Sequence, residues 1–388
     1  MPAQLRMTRN AFTKGAAALV SVPFTPAYIA QTRHFRRGAT RRGARTGVGL
    51  TEGKNFLDLN CTSRCTVVGK TAAYTGCGCE REGASLVMDT QEVNRRRCEP
   101  VAFTSGGDRL VGLLYLPAGQ PVAAVVTTGP LTSVKEQATG AYARALSERG
   151  FAALAFDHRT FGQSEGEPRQ FESPEGKAAD VRAAVTALAA DERTRDLPVV
   201  AVGICAGAGY MARAVADDPR ILGFAGVAGY YSNAAAFAES SPDTYQAAIA
   251  RGRAAERRWR ESGEVETIPA VAADGGDVAM PLREAYEFYG TSRGAVDNYT
   301  NGFAVQSLAY TTPFDAQEAA ARIRVPFLLV HSEHALAPTL ARQFYDAVST
   351  PKSQLWLESE GQIDFYDDPR LIGLAADAIA EHVKMLKR

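Results

Sequence analysis

Short apolar runs, each followed by a helix-length segment, recur through most of the chain and constrain its fold more than any other feature. Ala123–Thr128 (AAVVTT), Ala152–Phe156 (AALAF) and Pro198–Ile204 (PVVAVGI) carry no charge at all. Strands of a parallel sheet read in this way, because crossover helices bury them on both faces. The spacing predicts helices over Gln137–Glu148, Pro174–Ala190 and Ala206–Ala216. Leu222–Gly226, Pro326–Val330 and Gln354–Leu357 complete the strands, and Leu371–Met385 reads as an amphipathic final helix. At the front, Pro100–Phe103 and Leu110–Leu116 form a predicted hairpin around the turn Ser105-Gly106-Gly107-Asp108. The fold class is therefore α/β, with a mainly parallel central sheet flanked by helices. Ligands are expected at the carboxyl ends of its strands.

One long insertion, from Ser232 to Ile323, interrupts the alternation and reads as a mostly helical cap. It carries Tyr245, Trp259, Tyr286, Tyr289, Tyr299 and Tyr310. Two readings of these aromatics stay open: an apolar substrate pocket, or the small core that a helical cap needs for itself.

The stretch Val199–Gly207 (VVAVGICAG) carries the chemistry. It fits a G-x-nucleophile-x-G elbow with a strand before it and a helix after it. Glycines two residues to either side leave room for a tight turn, so Cys205 is presented at a helix N-terminus. There the helix dipole is expected to favour the thiolate. A buried structural cysteine is the plain alternative. Acyl transfer also needs N–H donors for a developing oxyanion. Ala206, just after the nucleophile, is one; in the loop Gly129–Lys135 the second is assigned to Leu131, because Pro130 has no N–H.

The chain has 388 residues, ample for a large core without disulfide or metal staples, and balances 43 Lys+Arg against 43 Asp+Glu. That neutrality joins two unlike parts. Residues 1–97 hold 16 basic and 6 acidic residues, and Met1–Thr51 has no acidic residue at all. The apolar segment Gly15–Ala30 within it resembles a signal peptide but is broken by Pro23 and Pro26. The run Arg33, Arg36, Arg37, Arg41, Arg42 and Arg45 reads as a solvated arm, without the interleaved aromatics of a nucleic-acid binder. Cys61, Cys65, Cys77 and Cys79 match no usual zinc spacing. The domain organisation expected is a basic, disordered or mis-assigned segment over 1–97 and a catalytic domain over 98–388, with its cap at about 232–323. Met88 is an alternative start. No apolar run approaches the ~20 residues of a membrane span. Neither a membrane nor a nucleic acid is an expected partner; the cytoplasm is the expected location, with export the alternative.

GPLTSVKEQATGAYA, FDHRTFGQSEGEPR, GICAGAGY and SEGQIDFYDDP together resemble the α/β-hydrolase superfamily. Within it they are similar to the bacterial dienelactone-hydrolase-like branch with a cysteine elbow, related to fungal polyketide transferases. The likeness covers residues 99–388. It implies an α/β-hydrolase fold and a cofactor-free, metal-free hydrolase or acyltransferase. The substrate implied is a small acyl, ester, lactone or thioester compound of polyketide-type secondary metabolism; a homo-oligomer is left open.

The resemblance also implies an acid after the penultimate strand, where Glu333 stands, and a histidine after the last strand. Gln362 occupies that histidine position, and an amide has no titratable group with which to shuttle a proton. Among five histidines, His334 beside Glu333 is the best substitute base. The candidate site is therefore Cys205, Glu333, His334 and Gln362, with Leu131 and Ala206 as oxyanion donors. Gln362 keeps two rivals open: a non-hydrolytic isomerase, cyclase or lyase on the same scaffold, and a binding protein with a degenerate site.

Overall fold

A computed structural model describes residues 98–386. The signal-like segment, the arginine run, His34, the four clustered cysteines and Met88 lie outside the described residues. β1 (Cys98–Ser105) and β2 (Asp108–Tyr115) form the expected hairpin, with Ser105 opposite Asp108 across the two turn glycines. Then β3 (Ala124–Thr128), α1 (Ala138–Ser147), β4 (Ala152–Phe156), α2 (Pro174–Ala190), β5 (Val199–Ile204), α3 (Ala206–Asp217) and β6 (Ile221–Val227) alternate as the sequence predicts.

The insertion follows β6. It holds α4 (Ala234–Ser240), α5 (Pro242–Ser262), β7 (Thr267–Ile268), α6 (Arg283–Tyr289), β8 (Phe303–Ala304) and α7 (Leu308–Thr311). The cap is less helical than expected. α5 ends at Gly263, in the left-handed conformation at φ +75°, and the stretch after it contains Pro269, Gly275, Gly276 and Pro281, which suit turns rather than helix. β9 (Phe327–His331), α8 (Pro338–Ala347), β10 (Lys352–Trp356), α9 (Asp364–Asp367) and α10 (Pro369–Met385) close the chain.

The eight-stranded sheet runs β1-β2-β4-β3-β5-β6-β9-β10. β2 is antiparallel to both its neighbours, and every pairing from β4 to β10 is parallel. Alternate strand residues face opposite layers, as the two-residue period requires. Val125, Ala153, Val202 and Val330 share a core with Tyr142 of α1 and Ile379 of α10. Val126, Leu154, Ala201 and Leu329 share the other with Val185 of α2, Met211 of α3 and Phe344 of α8. Cys205 and the cap residues Ala285, Phe288 and Tyr289 belong to the first of these cores, so the cap is packed onto the layer that holds the elbow. Among the described residues no helix is long and apolar enough to cross a membrane.

Candidate active site

β5 delivers the chain to Cys205 and α3 leaves from Ala206. Cys205 turns at φ +54° and ψ −126°, a conformation that costs a non-glycine residue about 1–3 kcal/mol. The surroundings hold it there. Its N–H donates to Val227 O (3.1 Å), and its carbonyl accepts from Tyr230 N–H (2.8 Å) and Ala208 N–H (3.0 Å). The elbow glycines are sterically required. A Cβ at Gly203 would lie 2.5 Å from Ala208 Cα, and one at Gly207 2.5 Å from the Gly129 carbonyl oxygen. That second approach seats the elbow directly against the loop assigned to the oxyanion donors.

Each part of that loop is tied down. Lys135 N–H donates to Asp157 Oδ1 (2.8 Å) and its Nζ to Asp157 Oδ2 (2.7 Å), joining the GPLTSVKE and FDHR motifs. Thr132 N–H donates to Glu172 Oε2 (3.3 Å), Ser133 N–H to Pro130 O (3.2 Å) and Val134 N–H to Gln137 Oε1 (3.1 Å). Glu172 is buried and ion-paired with buried Lys177 at 2.7 Å. Of the N–H groups from 131 to 135, that of Leu131 alone has no acceptor among the described residues. The cap braces the same loop. Gln137 Nε2 donates to Gly294 O (2.8 Å), Asn298 Nδ2 to Glu136 Oε1 (2.7 Å), and the Thr132 and Tyr299 hydroxyls stand 3.4 Å apart.

Cys205 is only 4% exposed, and burial pushes its thiol up to about 11. Tyr366, the Ala206 N–H and Gln362 oppose that shift, while the charge of Glu284 adds to it. This corrects the sequence expectation of a helix-stabilised thiolate. Desolvation outweighs the dipole, and the resting group is a neutral thiol.

Gln362, in the loop after β10, is buried, and its amide opposes the rise of the Cys205 thiol. Its Oε1 accepts from Leu336 N–H (2.9 Å), which fixes the amide's orientation. Its Nε2 donates to Ala228 O (2.9 Å) and to the Tyr366 hydroxyl (3.3 Å). Tyr366, on α9, and Glu284, on α6, are absent from the sequence-based site. The Glu284 Oε2 accepts from Gln362 N–H (3.0 Å) and Ile363 N–H (3.4 Å). Burial raises the Glu284 carboxyl, and those two N–H bonds oppose the rise. No motif marks either residue; a position four residues beyond Gln362 is the only sequence hint for Tyr366.

Glu333 and His334 are corrected by the structure. Glu333 is exposed and ion-paired with Arg342 of α8, which holds its carboxyl below the ordinary range. His334 is also exposed, and its Nδ1 donates to Ser359 O (2.7 Å). Neither is among the groups that shift the Cys205 thiol. Strand β9 ends at His331, and the turn after it sends both side chains outward. The other described histidines are engaged in the interior. His331 faces Ser332 O (2.9 Å) and Gly229 O (3.3 Å). His158 lies between the Thr128 hydroxyl (2.6 Å) and Asp180 (3.3 Å). His382, on the last helix, is buried against Pro326 O (3.3 Å).

A cavity of about 300 Å³ opens beside Leu131 and Ala206 and runs under the cap. Its wall is apolar and aromatic, with Tyr210, Phe237, Phe303 and Phe314. The six cap aromatics picked out in the sequence lie elsewhere. Tyr289 and Tyr299 pack together near the sulfur, ring centroids 5.2 Å apart, and Tyr286 packs on the same core. Tyr245 packs edge-on against Phe237, Tyr310 edge-on against Phe171, and Trp259 is half-buried on α5. The Tyr289 hydroxyl is buried with no hydrogen-bond partner among the described residues.

With this geometry in place, similarity to known proteins becomes informative. The model of the family described as serine aminopeptidase, S33, matches residues 134–361. Protein PA2218 of Pseudomonas aeruginosa is 28% identical over 371 residues, spanning 90% of this chain and 97% of that protein. Its crystal structure superposes with a TM-score of 0.65 at 27% identity, covering 74% of this chain and 92% of that one. The α/β hydrolase GrgF from Penicillium sp. sh18 shares the fold, with a TM-score of 0.61 at 21% identity over 75% of this chain and 98% of its own. Thiohydrolase aneE of Aspergillus aculeatus is 36% identical over 100 residues, which are 26% of this chain and 31% of that protein.

Proposed function

Because the chain belongs to the serine aminopeptidase S33 family and has the α/β-hydrolase fold, we propose that it is a cysteine-dependent enzyme of acyl transfer. Its substrate is an apolar acyl thioester, ester or lactone. One observation carries the reading: Cys205 is held in a strained elbow, and its chain neighbour Ala206 lines an apolar cavity together with Leu131. The thiol attacks the acyl carbon, and the two N–H groups receive the oxyanion as it forms. The acyl chain lies along Phe237, Phe303 and Phe314. The partial likeness to a thiohydrolase favours thioesters.

Release of the acyl group is the step that Gln362 shapes. Among the described residues no histidine acts on the Cys205 thiol to activate water, so an acceptor hydroxyl or thiol competes well with hydrolysis. The same observation favours a second reading, a cyclase or isomerase in which the acceptor belongs to the substrate itself. A binding protein with a degenerate site is the third. Turnover of medium-chain acyl thioesters and aryl esters tests the proposal. Cys205→Ala is expected to lose at least about 10³-fold, and Cys205→Ser to remain inactive for want of a base. Undiminished turnover by Cys205→Ala refutes it. Absence of ¹⁸O from the product in labelled water selects transfer or cyclisation over hydrolysis.

A further inference from the structure

We propose that Asp157 and His158 clamp the two ends of the oxyanion loop, and that His158 is the positioning residue for the Leu131 N–H. The proposal rests on the reading of Cys205 as nucleophile and of Leu131 as oxyanion donor. The loop leaves β3 at Thr128 and reaches Lys135. Both of its ends are tied to consecutive residues just beyond β4. The Thr128 hydroxyl lies 2.6 Å from His158 Nε2, and Lys135 N–H and Nζ reach the Asp157 carboxylate at 2.8 and 2.7 Å. Neighbouring Cα atoms are only about 3.8 Å apart, so the whole excursion from Thr128 to Lys135 closes on one fixed point.

His158 is itself held. Its Nδ1 faces Asp180 Oδ2 at 3.3 Å, and Asp180 accepts from Arg159 N–H (3.0 Å), Nε (2.8 Å) and Nη2 (2.6 Å). A carboxylate only accepts, so Nδ1 carries the ring proton toward Asp180, and the Thr128 hydroxyl donates to Nε2. Burial draws the imidazole below its ordinary range, which keeps it neutral and able to accept. Thr128, His158 and Asp180 are all buried, and none of them lines the cavity beside Leu131. Their part is to hold the loop, not to touch substrate.

What the clamp fixes is the seating of loop on elbow. A Cβ at Gly207 would lie 2.6 Å from the Thr128 carbonyl oxygen and 2.5 Å from that of Gly129. The backbone at the end held by His158 therefore rests directly on the elbow. Thr132, next to Leu131, turns at φ +61°, a left-handed conformation that a threonine keeps only where its surroundings impose it. Loosening Thr128 shifts the contact with Gly207 and lets that turn relax, which moves the Leu131 N–H away from the developing oxyanion. A misplacement of about 1 Å costs about 10²-fold in rate.

The test separates a reaction that forms an oxyanion from one that does not. Single-turnover acylation of Cys205 by an acyl thioester forms one. Disulfide formation at Cys205 with methyl methanethiosulfonate has no carbonyl oxygen to charge. Both are followed by mass and mapped to the peptide that carries Cys205. His158→Asn keeps a donor toward Asp180 but has no atom where Nε2 takes the Thr128 hydroxyl. It is expected to slow acylation by about 10²-fold and to leave disulfide formation within a few-fold of wild type. Thr128→Val, which loses only the hydroxyl, should slow acylation by about tenfold with the same selectivity, and Thr128→Ser should keep the wild-type rate. The two threonine variants decide the matter even where His158→Asn fails to fold. Equal losses in both reactions, unchanged acylation in Thr128→Val, or a Thr128→Ser variant as slow as Thr128→Val overturns the clamp while Cys205 acylation stands. Failure of Cys205 to acylate in wild type overturns the parent reading instead.

Discussion

Gln362 Nε2 donates to the Tyr366 hydroxyl across 3.3 Å, while Gln362 Oε1 is held by Leu336 N–H at 2.9 Å. The amide thus acts as a splint between the turn after β9, the end of β6 and α9. Gln362→Leu removes three hydrogen bonds and leaves Leu336 N–H and Ala228 O without their partner. It is expected to destabilise the fold by about 1–3 kcal/mol and to slow acylation. Urea denaturation against wild type checks the first, and single-turnover kinetics the second.

The Cys205 thiol, pushed up to about 11 by burial, is almost wholly protonated at neutral pH. Alkylation by iodoacetamide requires the thiolate, so its rate should climb about tenfold per pH unit from pH ~7 to pH ~10. Glu284 adds to the elevation, so Glu284→Gln should move the whole profile to lower pH. Mass-resolved labelling, which separates Cys205 from the other cysteines, measures both.

Lys177 and Glu172 form a buried ion pair at 2.7 Å, and Glu172 Oε2 accepts the Thr132 N–H of the oxyanion loop. Lys177→Met leaves the carboxylate uncompensated. The expected cost is about 3–5 kcal/mol, read as a lower urea midpoint. The double variant Lys177→Met, Glu172→Leu should recover part of that stability but not activity, since Thr132 N–H then lacks its acceptor.

Tyr289, packed between Tyr299 and Tyr366, carries a buried hydroxyl without a partner among the described residues. An unmet hydroxyl in the interior is a cost with no return unless substrate supplies the partner. Tyr289→Phe should therefore leave Tm unchanged or raise it, while KM rises several-fold. A lowered Tm with unchanged KM would mean the hydroxyl serves the fold alone.

Much of the scaffold was legible because its signals are local. β4 and α2 span the residues their apolar pattern predicts, since a charge-free run between polar loops has few other places to go. The elbow was legible because Gly203 and Gly207 are forced by backbone contacts that no side chain survives. The site's polar half was not. Glu333 stands in the loop where an acid is expected, yet Arg342 from α8 draws it outward, and a pairing across nine residues leaves no mark in either segment. Tyr366 and Glu284 come from short helices, and only folding brings them to the sulfur's surroundings. The thiol's state was misjudged for a related reason. The helix dipole is visible in sequence, whereas the desolvation that overrides it belongs to the packed core.

Intact-mass analysis of the protein mixed with an acyl thioester tests the central claim most directly. Wild type should gain the mass of one acyl group, mapped to the peptide that carries Cys205, and Cys205→Ala should gain none. Full turnover without that adduct, or an equal adduct on Cys205→Ala, would contradict a cysteine-dependent acyl-transfer mechanism.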